Sequence, residues 1–280
     1  MLFIENNEKI VIVFQHDHAD LSGQIAAHWG NERFAQPTPF EEIVYTSAVH
    51  DMSWIFWDYY PLKLTSDQKP IPWLQMRKYA FEEFSRFYGI QIRGVGPHHQ
   101  YATLLLAMHA AGLYKGRYGT QPSHSSLQTV TRPEWQDDID QLEKLQREAK
   151  HHLLKSPDSA EWISDKILWT NYKLLEVWDR LSQYFIGRDD NIVNSTLNPV
   201  PLSYDGRETQ LKLQRGDNER IDQPHKSVKI SPYPFVEDPQ TFFFKAVEIP
   251  NRSYSNEKEL TKSILKGKRI NFEMTATAGS

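Results

Sequence analysis

The sequence predicts a mainly α-helical protein with a small antiparallel β-layer drawn from an N-terminal hairpin and the C-terminal region. Two observations carry this reading. From Asp17 to Phe185, stretch after stretch places apolar residues at helical spacing, and beyond Gly187 prolines at 199, 201, 224, 232, 234, 239 and 250 cut the chain into short β-rich runs. At 280 residues the chain is long enough to bury one sizeable core. It reads as a single domain over 1–280, with a helical core at 15–187 and β-containing flanks at 1–14 and 188–280.

The elements follow in order. Leu2-Phe3-Ile4 and Ile10 to Phe14 predict a hairpin about the turn-forming Asn6-Asn7. His18, Leu21, Ile25 and Trp29 share one helical face, and Gly30-Asn31 stops that helix. Phe40 to Tyr60 predicts one long helix closed by Pro61, and Leu74 to Tyr88 a further one after Pro70 and Pro72. Gly89, Gly94 and Gly96 mark Ile90 to Pro97 as a loop. Tyr101 to Tyr114 is a strongly apolar helix, Lys115 to Pro133 a surface excursion, and Glu134 to Leu154 a helix with a solvated charged face. Ser159 to Phe185 is the longest helical pattern, and Val228 to Ile230, Phe242 to Ile249 and Ile270 to Met274 read as strands. There is no internal repeat and no low-complexity tract.

Composition removes several function classes. A net charge of -4 and a pI near 6.3 supply neither a basic nucleic-acid surface nor a polybasic membrane anchor. With no cysteine there are no disulfides, thiolate metal sites or cysteine nucleophiles. The apolar run Ile10 to Phe14 is too short for a signal-peptide core or a membrane span, and mean hydropathy is -0.61, so a soluble cytoplasmic protein is expected. The expected partner is a small-molecule substrate, with no nucleic acid and no membrane; the oligomeric state is left open.

Several helices carry a histidine or an acid on an otherwise apolar stripe, and such groups are costly to bury unless paired or bound to metal. His18 lies on the apolar face of its helix, whereas His16, two residues away, points elsewhere. Ile43, Val44, Ala48 and Val49 lead into the adjacent pair His50-Asp51, whose imidazole and carboxylate are complementary metal ligands. Asp179 joins Leu168, Tyr172, Leu175 and Ser182 on one stripe, and His109 aligns with Ala102, Leu105 and Leu113. His18, His50, Asp51, His109 and Asp179 are therefore the candidate ligands, with Asp51 and His109 as candidate catalytic groups. The competing readings are a satisfied helix-start histidine at His18, a buried hydrogen-bonded His50-Asp51 pair, and a structural salt bridge at Asp179-Arg180. Trp54 and Trp57, with Asp58 at the edge, are candidates to line an apolar pocket.

His-then-His-Asp-then-Asp is the order seen in the HD-domain superfamily. The stretches Gln15-His16-Asp17-His18-Ala19-Asp20-Leu21-Ser22-Gly23, His50-Asp51-Met52-Ser53-Trp54 and Trp178-Asp179-Arg180-Leu181-Ser182 more closely resemble a bacterial family catalogued as domain of unknown function 3891. That resemblance runs over nearly the whole chain and includes Pro232-Tyr233-Pro234-Phe235. The superfamily resemblance implies an HD-like helical bundle around a divalent metal. It implies a phosphohydrolase, or less often a di-iron oxygenase. Ser53 and Trp54 stand where many HD proteins carry Gly and then Lys or His, so the usual phosphate-handling polar residue is missing.

One or two ions fit this pattern, and Fe, Mn, Mg, Ni and Zn are not distinguished. His98 and His109 on one helix would stand roughly 16 Å apart along its axis, too far for ions about 3.5–4 Å apart. His99, His124 and the His151-His152 pair are further possible contributors. Three functions compete: hydrolysis of a phosphate ester through a metal-bound water positioned by Asp51 or Asp179, iron-dependent oxygenation of a small polar substrate, and a non-catalytic metal-binding or structural module.

Overall fold

A computed structural model describes residues 2–59, 64–71, 81–120, 135–187, 194–216 and 223–279. It overturns the expectation of a mainly α, HD-like bundle with a minor β-layer. About 50% of the chain is helical, and the strands form a seven-stranded curled mixed sheet, a half-barrel.

The strand order is β1 (Leu2–Glu5), β2 (Lys9–Val13), β6 (Gln240–Pro250), β7 (Lys268–Ala278), β5 (His225–Ser231), β4 (Glu208–Arg215) and β3 (Asn194–Pro201). All neighbours run antiparallel except β5 and β7. Asn6 Oδ1 accepts from the backbone N–H groups of Glu8 and Lys9 and so fastens the first turn. β2 then pairs with β6, Ile12 opposite Val247. From Ile10 to Val13 it is apolar because it is covered on both faces. Val11 and Val13 join the main core, while Ile10 and Ile12 pack with Leu260 and Ile264 of the helix Glu257–Lys266.

The sheet exceeds the expectation because its far strands carry weak signals. β4 buries Leu211 and Leu213 between polar neighbours, and β3 is interrupted by Pro199. The helix at 257–266 was not expected either, although Asn256 Oδ1 caps it by accepting from the Glu259 N–H.

Helices α1 (Gln15–Ala27), α2 (Phe40–Val49), α3 (Ile55–Tyr59), α4 (Phe81–Val95), α5 (Gln100–Tyr114), α6 (Gln136–Leu153), α7 (Pro157–Trp162) and α8 (Asp165–Ile186) precede the far strands. None of the described helices is long and apolar enough to cross a membrane. Three boundaries differ from expectation. The helix predicted over Phe40 to Tyr60 breaks after α2, where Asp51 (φ -112°, ψ 17°) leaves helical geometry before a 3-10 turn at Met52–Trp54. The glycine-marked stretch after Gly89 is helical through Val95, since none of its described glycines has positive φ. Ser159 to Phe185 is two helices parted at Ile163-Ser164. Most of the predicted Leu74–Tyr88 helix lies outside the described residues.

Two contacts position the helices that matter below. α1 and α2 approach so closely that a Cβ at Gly23 would stand 2.5 Å from Ala48 Cβ. At the other end of the core, α8 stops at Gly187 (φ 99°), and its last carbonyls accept from the sheet: Tyr184 O from Arg215, Ile186 O from Lys226 Nζ at 3.3 Å. Both cations meet the negative end of the helix dipole.

Gly23→Ala is expected to destabilise the protein by about 1–3 kcal/mol, the range for forcing extra volume into a packed interior. Gly94→Ala, with nothing within 4 Å of the added carbon, is expected to be neutral or stabilising by up to about 1 kcal/mol. Thermal melts followed by circular dichroism check both. An unchanged melting temperature for Gly23→Ala would disprove the close approach of α1 and α2.

Candidate metal centre

Three helices and one helix break deliver their polar side chains to a single buried place. His18 comes from α1, His109 from α5, Glu176 and Asp179 from adjacent turns of α8, and His50 and Asp51 from the break after α2. None is more than 5% exposed. The break explains how two successive residues can serve one site. On a continuous helix they would point about 100° apart, whereas here His50 Nε2 lies 3.8 Å from Asp51 Oδ2.

Hydrogen bonds decide which imidazole nitrogen is free. His50 Nδ1 lies 2.8 Å from the Ser47 carbonyl, which can only accept, so Nδ1 carries the proton and Nε2 presents a lone pair. His109 Nδ1 faces Glu176 Oε1 at 3.1 Å with the same consequence. The freed His50 Nε2 is buried without a hydrogen bond, 3.5 Å from Asp179 Oδ1. The freed His109 Nε2 is 3.8 Å from Asp51 Oδ1. His18 Nε2 lies 3.0 Å from Asp179 Oδ1 and 3.9 Å from Asp51 Oδ2, and its Nδ1 is 2.8 Å from Ser182 Oγ. Lone pairs aimed at carboxylate oxygens repel unless a cation stands between them. The donor set therefore fits a metal ion. Three overlapping groups, His18/His50/Asp179, His50/Asp51/His109 and His109/Glu176/Asp179, each bring their ligand atoms within 4.8 Å of one another.

A further layer fixes the carboxylates. Asp51 Oδ2 accepts from Gln15 Nε2 at 3.0 Å, and Oδ1 accepts from the Tyr88 hydroxyl, which itself accepts from Trp54 Nε1 at 3.2 Å. Asp179 Oδ2 accepts from Arg117 Nη2 at 3.0 Å, and Arg117 also meets Glu176. Burial alone would push the Asp51 and Asp179 carboxyls up. The imidazoles around both, and Arg117 beside Asp179, outweigh burial and hold the two below the usual carboxylate range. Burial pulls the His18 imidazole down, and burial together with Asp51 pushes the Tyr88 phenol up. Near neutral pH the site thus offers charged carboxylates and a neutral His18. Ionised, Asp51, Glu176 and Asp179 outnumber the single guanidinium of Arg117.

The structure brings all five sequence-selected candidate ligands together and leaves the other described histidines out. His16 stacks on Phe14 and lies 3.6 Å from Asp17. His98 is exposed, His99 meets Glu42 at 3.4 Å and stacks on Tyr45, and His151 and His152 are exposed on α6. His124 lies outside the described residues. Trp54 is buried in a cluster with Tyr88 and Ile92, and Asp58 is buried and accepts from the Gln15 N–H at 2.7 Å. The side chain of Trp57 lies outside the described residues.

Sequence reasoning missed Glu176, Arg117, Tyr88 and Gln15. Glu176 stands one turn before Asp179, and that spacing could have found it. Arg117 had no such signal. It reaches the centre from a turn in which Gly116, Arg117, Tyr118 and Gly119 all have positive φ. The left-handed backbone at Arg117 and Tyr118 costs on the order of 1–3 kcal/mol each. The turn folds over α5 at Gly112, where a Cβ would collide with the Tyr172 hydroxyl and stand 3.4 Å from Arg117 Cα.

The family described as protein of unknown function (DUF3891) matches residues 1–251, and the chain belongs to that family. No curated protein and no solved structure matches the chain. The likeness to the HD-domain superfamily is confined to the order of residues in the His/Asp cluster, and neither the family match nor the fold shows a relationship.

Two substitutions probe the centre. Glu176→Gln keeps the shape but weakens the acceptor for His109 Nδ1–H, so metal affinity is expected to fall about 10–100-fold, read by competition with a chelator. Arg117→Met strips the carboxylates of their counter-charge, and the metal-free protein is expected to lose about 3–5 kcal/mol. Divalent metal should then raise the melting temperature of this variant more than that of the parent. Equal melting of variant and parent in chelator would show that Arg117 does not neutralise the buried acids.

Proposed function

We propose that this member of the DUF3891 family is a metal-dependent enzyme that holds one divalent ion among His18, His50, His109, Asp51 and Asp179 and hydrolyses a phosphate ester there. The observation that carries the reading is the convergence of three imidazole Nε2 atoms on two ionised carboxylates, with Nδ1 of His50 and His109 pinned by acceptors. One ion is favoured because the group His50/Asp51/His109 shares an imidazole with each of the other two, and with a single lone pair to give at each Nε2 an ion centred there leaves neither of them complete. Imidazole-rich sites suit iron, nickel or zinc better than magnesium.

Such an ion supplies Lewis acidity, polarising a phosphoryl oxygen and acidifying water. The chain supplies the rest. The Ser47 carbonyl and Glu176 fix the tautomers of His50 and His109. Gln15 and Tyr88 orient the Asp51 carboxylate, and the surrounding imidazoles keep it charged, which suits it to position a water beside the ion. Arg117, paired with Asp179 and Glu176, offsets part of the carboxylate charge and so lowers the repulsion that an anionic ester would meet. The three-imidazole donor set suits iron equally, which keeps iron-dependent oxygenation of a small polar substrate as the second reading.

Elemental analysis of protein purified without added metal is expected to find one transition-metal ion per chain, and His50→Ala to lose it. With Mn, Fe, Ni or Zn, a phosphoester panel should show turnover that His18→Ala and Asp179→Ala abolish. Bound iron with oxygen consumption and no ester hydrolysis would replace the hydrolase by the oxygenase. Protein that neither carries nor takes up a metal would sink both.

A further inference from the structure

A separate recess borders α1 on another face. At 3.6 residues per turn, Asp17 and Gln24 stand about 110° around the helix from His18, and together with Phe14, Phe243, Lys245 and Arg269 they line a cleft of about 1070 Å³. We infer that this cleft binds a mononucleotide, gripping the base by its hydrogen-bonding edge and the phosphate by Lys245 and Arg269.

The backbone of β6 supplies the first argument. β2 ends at Val13 and pairs with β6 only from Val247 onward, so among the described residues the preceding part of this edge has no neighbouring strand. Backbone direction alternates along a strand. The N–H and C=O of Val247 turn toward β2. Those of Phe243 turn to the same side and are satisfied by the Gln24 amide, which accepts from the N–H at 3.0 Å and donates to the C=O at 2.8 Å. Lys245 lies between them, so its N–H and C=O face the cleft. The amide of Gln24 shows which chemistry this edge takes, and the adjacent donor and acceptor of a nucleobase have the same form.

Charge and ring surfaces point the same way. Among the described residues Asp17 pairs with His16, and Asp20 accepts from Gln24 Nε2, whereas neither Lys245 nor Arg269 makes an ion pair. The two cations stand on β6 and β7 while the two carboxylates stand on α1, so the sheet side of the cleft offers a phosphate its partners. Phe243 lines the cleft and is 55% exposed, so a π-face is present for a base. The volume is ample for a ligand of that size.

Calorimetric titration of the full chain with AMP, GMP and UMP tests this, with the matching nucleosides and inorganic phosphate as separate arms. At least one monophosphate is expected to bind with Kd below about 1 mM, with its nucleoside and phosphate alone each at least about tenfold weaker. Lys245→Ala and Phe243→Ala remove exposed side chains and should each weaken binding by about fivefold or more, whereas Lys212→Ala on β4 should change nothing. Failure of all three monophosphates to bind, phosphate binding as tightly as the nucleotides, or parental affinity in both cleft variants overturns the inference. His50→Ala separates the two sites: binding that survives Lys245→Ala yet disappears in His50→Ala belongs to the metal centre and also overturns it.

Discussion

Asp51, Glu176 and Asp179 bring three carboxylates into a volume closed to solvent, with the guanidinium of Arg117 as the described cation among them. Burying an ion without compensation costs several kcal/mol, so these acids constrain everything packed around them. Gly23 gives up its side chain so that α1 can bring His18 against α2. The helix breaks where His50 and Asp51 must face one way. Arg117 reaches its partners only through a left-handed turn, and Gly112 clears the path for it. Each of these departs from the locally favoured structure, and each serves the same charged cavity.

The sheet acts on this cavity from a distance. α8 carries Glu176 and Asp179, and its C-terminal carbonyls are held by Arg215 of β4 and Lys226 of β5. α1 carries His18 and is tied to β6 by the double hydrogen bond of Gln24. One continuous core joins the sheet's inner face, including Phe242, Phe244 and Phe272, to Trp29, Trp178 and Leu181 on the helices and their flanks. The two helices that face each other across the centre are thus both referenced to the sheet, which limits rotation of either about its own axis.

Legibility in the sequence followed the range of the signal. Helical phase is local, and it separated His18 from His16 and turned His109 and Asp179 inward. What depended on tertiary context stayed hidden. The break at His50-Asp51 lies in a run with no proline or glycine, so only the demands of the site reveal it. The inward turn of Arg117 is visible as glycines at 116 and 119 but not as a direction. The sheet was under-read for a related reason. Leu211 and Leu213 alone anchor β4 among polar residues, because a strand with one face in solvent needs only alternate apolar positions.

The pairing of β2 with β6 has a consequence for the order in which the molecule can be built. Lys9 and Glu248, bridged at 3.2 Å across those strands, are 239 residues apart in the sequence. A chain emerging from the ribosome N-terminus first presents β1 and β2 long before their neighbour exists. All the helices that carry the centre are synthesised in the interval. Closing so long a loop is entropically expensive, and such distant pairings are slow. The helical layer therefore has time to gather its charged residues while the first hairpin waits with an open edge, exposed to wrong partners until the last third of the chain arrives.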